Sequence, residues 1–216
     1  MQKKFFTSDT HFGHKGALDI FTRNFPSIDD HDDYIIDKIN NTVGKRDFLY
    51  HLGDFCWGDT DKKKIVFAKE LLRKIKCKNI HLIMGNHDPR GKDCKPKEEF
   101  AKLFASCYSY RVINIKTLVF ESYLSSLVMD NRIVLSHFPI RSWEGMHRGY
   151  YHLYGHSHGT LPENGTLSFD VGVDSIGYVP ISSEEVYERL SSSKIKTVDG
   201  HGLIQSKFET KKEKGV

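Results

Sequence analysis

Ile80-His81-Leu82-Ile83-Met84-Gly85-Asn86-His87-Asp88 decides the fold of this chain. An apolar run ends at a glycine and gives way at once to an amide, an imidazole and a carboxylate. Strand-like runs that stop abruptly in polar residues mark an α/β protein whose site lies along one edge of a sheet. Four further blocks repeat the pattern in order along the chain. Lys4 to Thr7 leads to Asp9-Thr10-His11, and Phe48 to Leu52 leads to Gly53-Asp54. Ile133 to Leu135 leads to Ser136-His137, and Tyr151 to Tyr154 leads to Gly155-His156-Ser157-His158. Packing of a core does not call for such a set.

Around these runs, the first half alternates strand and helix, which argues for parallel pairing. Residues 14 to 25 read as a mixed helix closed by Pro26. Ser27-Ile28-Asp29-Asp30 has the form of a capping box, and Ile36, Ile39 and Val43 recur at helical spacing until Gly44. Thr60 is placed to cap a helix whose buried stripe is Ile65, Ala68, Leu72 and Ile75. From about residue 106 the character changes. Tyr108 to Tyr123 and Asn131 to Ser136 are rich in β-branched and aromatic residues. Strands follow around Leu153, over Leu167 to Val173 and near Tyr178, then a short helix from about Ser183 to Leu190. These predict a second sheet made largely of antiparallel strands. One domain is expected over residues 1–190, with 191–216 as a C-terminal extension holding a terminal strand near Leu203 and a basic tail.

The 216 residues carry a net charge of +4, 38% hydrophobic and 28% charged residues, the profile of a soluble globular protein. No run reaches the ~18 apolar residues of a membrane span, and the N-terminus enters a strand without a leader-like segment. Cys56, Cys77, Cys94 and Cys107 form no disulfide-like framework, so reduced thiols and a cytoplasmic location are expected. Asn40-Asn41-Thr42 and Asn164-Gly165-Thr166 then read as a helix end and a turn rather than glycan acceptors. Lysines gather at Lys62-Lys63-Lys64, around Lys74, Lys76 and Lys78, and in the tail, and read as a solvated basic surface that favours encounter with phosphate-bearing partners.

The side chains of the blocks are metal-ligand types. In a strand, residues i and i+2 point to one side, so Asp9 with His11, and His156 with His158 if that segment stays extended, are each placed to reach one cation together. Carboxylate oxygen mixed with imidazole nitrogen suits Mn²⁺, Fe²⁺ or Zn²⁺ better than Ca²⁺ or Mg²⁺. A structural zinc site would more often use cysteine and close at four ligands. Asp9, His11, Asp54, Asn86, His137, His156 and His158 are too many for one closed site, so two metals are the economical explanation. His14, His31, His51, His81, His152 and His201 read as ordinary histidines.

Taken together, the five blocks resemble the calcineurin-like metallophosphoesterase superfamily, from the first strand through His158. The resemblance implies a four-layer α/β/β/α sandwich, two mixed β-sheets flanked by helices. It implies Asp9, His11 and His158 on one divalent metal, Asn86, His137 and His156 on the other, and Asp54 bridging them. Manganese is favoured, with iron, zinc or nickel as alternatives. Phosphate esters would be hydrolysed by metal-activated hydroxide. Two dications less Asp9, Asp54 and that hydroxide leave the cluster at about +1, still attractive to phosphate. His87 would contact phosphate and protonate the leaving oxygen, a role suited to an imidazole. Asp88 would orient that ring, cap the turn into Pro89, or do both.

Protein phosphatases of the superfamily carry Asp-Arg shortly after the second block and Glu after the catalytic histidine. Here the second block continues Phe55-Cys56-Trp57-Gly58-Asp59 and the third ends in Asp88, closer to the phosphodiesterase and nuclease branches. Ser136 stands where glycine is common. The expected substrate is a nucleotide or short nucleic acid, without membrane or obligate protein partner. A small-molecule phosphomonoesterase is the alternative, and a non-catalytic scaffold of the same fold a more distant one. Residues 138–150 join two ligand blocks and offer Arg141, Trp143, His147 and Arg148 as substrate contacts, arginine for phosphate and tryptophan for a base. The competing reading is a surface loop with one buried aromatic.

Overall fold

The apolar runs that precede the first three polar blocks lie side by side and parallel. In the computed structural model, which describes residues 2–122, 125–163, 165–193 and 197–198, the chain begins with β1 (Lys4–Thr7), α1 (Lys15–Ile20) and α2 (Ile28–Thr42). β2 (Phe48–His51), α3 (Asp61–Lys74) and β3 (Asn79–Ile83) follow. Phe5 pairs with Leu49, and Leu49 with Ile80. α1 is shorter than the helix expected over 14 to 25, because the chain leaves it at Phe21 and Thr22 takes a left-handed φ of 55°. Ser27 caps α2 by accepting the Asp30 N–H, and Thr60 caps α3 by accepting that of Lys63. Ala68 and Leu71 are the buried residues of α3, while Ile65 and Leu72 are only partly covered.

α4 (Glu98–Ala101) leads into β4 (Ser106–Tyr108), which pairs in parallel with β3. The long hairpin of β5 (Tyr110–Ser122) and β6 (Ser125–Ser136) starts the second sheet. A 3₁₀ turn at Met146–Arg148 precedes β7 (Tyr151–Tyr154), and β8 (Ser168–Asp170) follows. α5 (Val173–Ile176), β9 (Ile181–Ser182) and α6 (Ser183–Leu190) complete the described elements. β9 runs antiparallel to β1, so the first sheet is ordered β4-β3-β2-β1-β9 and the second β5-β6-β7-β8.

Three expectations are corrected. The second sheet is not largely antiparallel: β5 and β6 are, but β6–β7 and β7–β8 are parallel. Its connections after β6 cross back to the start of the next strand instead of turning tightly. Ser106–Tyr108 belongs to the first sheet. Tyr178 lies in no strand but just past α5, at φ 68°. The terminal strand near Leu203 falls outside the described residues. Among the described residues no helix is long and apolar enough to cross a membrane.

Strand alternation sorts the apolar residues into two cores. Phe5, Leu49, Ile80 and Leu82 face α2 and α3, meeting Ile35, Ile39, Ala68 and Leu71. Phe6, Tyr50 and Ile83 face the second sheet and meet Ile133, Leu135, Leu153 and Phe169. Each buried side chain of this size contributes roughly 1.5–3 kcal/mol. The architecture is thus two mixed sheets flanked by helices, with the C-terminal ends of the parallel strands gathered at one edge. That edge is where the polar blocks lie.

Candidate metal centre

The blocks do not continue their strands. Asp9 (φ 56°), His11 (49°), Asp54 (54°), His156 (67°) and His158 (47°) all have left-handed backbones. Asp9 with His11, and His156 with His158, therefore converge through strained turns and not through extended alternation. Such residues cost of order 1–3 kcal/mol each and persist where the surroundings over-determine them. Here Asp9 N–H donates to Gly53 O at 3.0 Å, His11 N–H to Asp54 O at 3.0 Å, and Gly155 N–H to His137 O at 2.9 Å. Gly53 and Gly85 lie where two of these loops cross. A Cβ on Gly53 (φ 99°) would overlap the Gly85 backbone, and one on Gly85 would overlap Asp54. For Gly85 the requirement is close approach, not a positive φ.

Asp54 lies at the centre of the convergence. Its Oδ2 is 3.5 Å from His137 Nε2, 3.7 Å from His11 Nε2 and 4.0 Å from His87 Nε2. Asp9 Oδ1 is 3.9 Å from His158 Nε2, and Asn86 Oδ1 is 2.9 Å from His137 Nε2. Asp9, His11 and His158 form one group able to hold a cation, and Asp9, Asp54 and His137 another. His156 is exposed at the rim, its ring 5.1 Å from that of His137.

The donor set fits metal ions on its own chemistry. Asp9 Oδ1 and both ring nitrogens of His11 are sealed from solvent and have no hydrogen-bond partner. Buried polar atoms left this way are expensive unless a ligand satisfies them. His137 Nδ1–H donates to Leu52 O at 2.8 Å, which leaves the Nε2 lone pair facing the Asn86 oxygen, two acceptors with no proton between them. Burial pushes His137 down to about 4, so its ring is neutral, and burial likewise lowers His11. Burial, and then the charge of Asp54, raise Asp9 well above the usual carboxylate range; burial raises Asp54 too. Cations among these groups let both carboxylates ionise.

A buried frame holds the candidate ligands. Arg23, 3% exposed, spreads its guanidinium over Asp174 Oδ1 and Oδ2 (2.8 and 2.7 Å), Asp9 O (2.7 Å) and Thr10 O (3.0 Å). Asp174 Oδ2 also accepts His158 Nδ1–H at 2.7 Å, turning Nε2 toward Asp9. Burial works against the Asp174 charge, but His158 and Arg23 hold its carboxyl below the usual range. Phe21 stacks on the His158 ring with centroids 3.5 Å apart. Asp88 does not orient His87. Its Oδ2 accepts the N–H groups of Asp54 (3.0 Å) and Gly85 (2.8 Å), and its Oδ1 that of Phe55 (3.0 Å). It ties the second block to the third and is a positioning residue. Ser136 holds the turn after β6 by donating to Phe138 O at 2.7 Å.

His87 overhangs this cluster with its side chain 39% exposed. Three neighbours escaped the sequence reading. Trp57 stacks on His14 with centroids 4.0 Å apart and lies 5.0 Å from the His87 ring, and Lys64 Nζ donates to His87 O at 2.5 Å. Lys64 is therefore part of the site's wall, not of the solvated surface. Arg23 and Asp174, in a helix exit and a short helix far apart in sequence, gave no local signal. The i+4 spacing from Lys64 to Ala68 on α3 could have shown that Lys64 shares a buried face.

The connection 138–150 departs most from expectation. Trp143 is 6% exposed, stacks on His152 and donates to Tyr150 O at 2.8 Å, so it offers no open face to a base. β7 is parallel to β6, so the connection must return to the opposite edge of the sheet. Met146–Arg148 immediately precedes that strand, and Gly149 O accepts from Asn131 there. His147 and Arg148 are thus carried away from the ligands by the length of β7, roughly 13 Å at ~3.3 Å per residue. Arg141 is exposed and lines a pocket of about 300 Å³ with Tyr154 and Leu161.

Comparison with known proteins agrees with the geometry. The family model for calcineurin-like phosphoesterases matches residues 4–205. An uncharacterized protein of Methanocaldococcus jannaschii is 27% identical over 201 residues, covering 90% of this chain and 95% of that one. The gene 66 protein of Mycobacterium phage L5 is 25% identical over 215 residues, covering 87% and 94%. The crystal structure of a protein of unknown function from Aquifex aeolicus superposes with a TM-score of 0.58 at 23% identity, over 88% of this chain and 100% of the other, a likeness of fold.

Proposed function

The chain belongs to the calcineurin-like phosphoesterase family, whose members usually bind a dinuclear divalent metal centre, and from that premise we propose a phosphodiesterase acting on nucleotides or short nucleic acids. The observation that carries the metal assignment is the Asp54 carboxylate set among three imidazoles, beside partnerless buried atoms of Asp9 and His11. Asp9, His11 and His158 would hold one divalent ion, and Asn86, His137 and His156 a second, with Asp54 between them. Such a pair, when bound, lowers the pKa of an intervening water and holds phosphoryl oxygens during in-line displacement.

The remaining work falls to the chain's own groups. His158 and His137 are fixed in one tautomer by Asp174 and Leu52 O, so each presents Nε2 to the centre. Asp88 and Arg23 hold the loops that carry Asp54 and Asp9. His87 stands outside the ligand set with Nε2 directed over Asp54, where it can place a proton on the departing oxygen. The loop after Asp54 continues with the buried Phe55 and Cys56 and carries no arginine, which speaks against a phosphoprotein substrate.

The test is direct. Protein stripped with chelator and reloaded singly with Mn²⁺, Fe²⁺, Zn²⁺ or Ni²⁺ should take up two ions and hydrolyse bis(p-nitrophenyl) phosphate faster than p-nitrophenyl phosphate. One tightly bound ion in fully active protein would refute the dinuclear centre, and a faster monoester would favour a phosphomonoesterase. His87→Gln should keep both ions and lose ~10²–10⁴-fold in rate, less for a nitrophenolate leaving group than for an alkoxide.

A further inference from the structure

We propose that a pocket between the ends of β3 and β6 takes the heteroaromatic base of the substrate, with Phe138 as its stacking face and Arg90 as its hydrogen-bond donor. The reaction that follows binding rests on the phosphodiesterase reading above. The pocket, about 350 Å³, is lined by Arg90, Cys94, Tyr110, His137, Phe138 and Ile140. That is at the small end of the roughly 300–1,000 Å³ of ligand sites. It opens against His137, one of the residues assigned to the metal centre, so a group bound there is attached within reach of a phosphate held at the centre.

Two observations give the occupant its chemistry. Phe138 is 45% exposed and Tyr110 40% exposed, although both are large aromatic side chains. Phe138 sets its ring edge-on to His156 and His137, with centroids 4.5 and 5.0 Å apart, so the ring is held in place while much of it stays open. A planar π-system is the natural cover for such a face. Arg90 supplies the second requirement. Arg90 lines the same pocket, and one Nη donates to Gly85 O, which pins the guanidinium to the third ligand block. Its planar fork carries further N–H donors from which an in-plane oxygen or ring nitrogen of a base can accept. A nucleobase brings both the flat face and the in-plane acceptor; an alkyl or sugar group alone brings one or neither.

The pocket beside Arg141 fits less well. Trp143 is buried there with its ring already stacked, and Glu163, paired with Arg189, puts a carboxylate on its wall. This pocket therefore offers no open aromatic face, and its carboxylate is already engaged by Arg189.

The experiment compares thymidine 5′-(p-nitrophenyl phosphate) with methyl p-nitrophenyl phosphate, which share a leaving group and differ only in what stays on phosphorus. Calorimetric binding of thymidine 5′-monophosphate and of methyl phosphate to the metal-loaded protein gives a second readout, independent of turnover. The wild type should favour the nucleoside ester in kcat/KM. Phe138→Ala, a change at a half-open surface position, should lower that preference roughly 5- to 100-fold, and the binding ratio with it. Arg90→Lys should lower both in the same sense. A wild type without preference, an unchanged ratio in Phe138→Ala, or a fall seen in Leu161→Ala instead would overturn the assignment. If neither ester is hydrolysed while the binding ratio behaves as described, the hydrolase reading fails and the pocket stands.

Discussion

Replacing Arg23 tests whether the ligand loops are held from behind. The side chain is fully buried and makes five polar contacts: two to Asp174, one each to Asp9 O and Thr10 O, and one to His31 Nε2 at 3.0 Å. Arg23→Met keeps much of the volume but leaves the Asp174 carboxylate, 9% exposed, without its cation. Breaking a buried pair in this way costs about 3–5 kcal/mol, a large part of the 5–15 kcal/mol typical of a domain. Arg23→Lys keeps the charge but not the fork and should lose less. Urea unfolding of chelator-stripped protein measures this without metal contributions. Metal titration measures the second consequence. With Asp174 and the Asp9 carbonyl released, His158 and Asp9 lose their fixed orientation, and affinity at their site should fall ~10–100-fold while the other site changes less. Asp174→Asn, which keeps an acceptor for His158 Nδ1–H, should fall between wild type and Arg23→Met. Loss of under about 1 kcal/mol in Arg23→Met would refute the energetic argument. Full destabilisation with both metal affinities unchanged would refute the positioning argument.

Asp88→Asn replaces an acceptor oxygen with an NH₂ group facing backbone N–H donors, so about 1–3 kcal/mol of stability should go for each unpaired amide, read as a lower urea midpoint. An unchanged midpoint would mean those amides find other partners. Trp143→Ala should cost about 3–5 kcal/mol as a core truncation without altering the ratio of nucleoside to methyl ester; a changed ratio would return Trp143 to the substrate. His51 and His152 are buried and pushed down to about 3 from 6.5, by burial and, for His51, also by the charge of His137. Between those values the unfolded chain binds more protons than the folded one, so stability rises with pH across that window and is lost as pH falls. Each histidine should account for about 2 kcal/mol between pH 7 and pH 5. His152→Gln should flatten the curve of urea midpoint against pH by that share, and an unaltered acid slope would count against it.

Much of this protein can be read in its sequence, for a physical reason. Hydrophobic periodicity and caps are local, and so Ser27, Thr60 and the helix at Ser183–Leu190 stand where the sequence puts them. Strand runs that end in Asp, Asn and His are local too, and they bring Asp9, His11, Asp54, Asn86 and His137 to one edge, with His158 beside them and His156 at the rim. What local pattern does not carry is direction and partnership. Whether β7 runs parallel or antiparallel to β6 depends on which edge is free once the sheets pack. That choice sends Arg148 away from the ligands and buries Trp143. Likewise, Asp88 looks in sequence like a partner for its neighbour His87, yet it bonds amides more than thirty residues away in Asp54 and Phe55. Arg23 and Asp174, 151 positions apart, meet only because β1 and α5 are packed together. The sequence determined which side chains could make a metal centre; the crossing of loops in the tertiary structure decided which buried charges hold it in shape, because a buried ion must find its partner wherever the fold puts one.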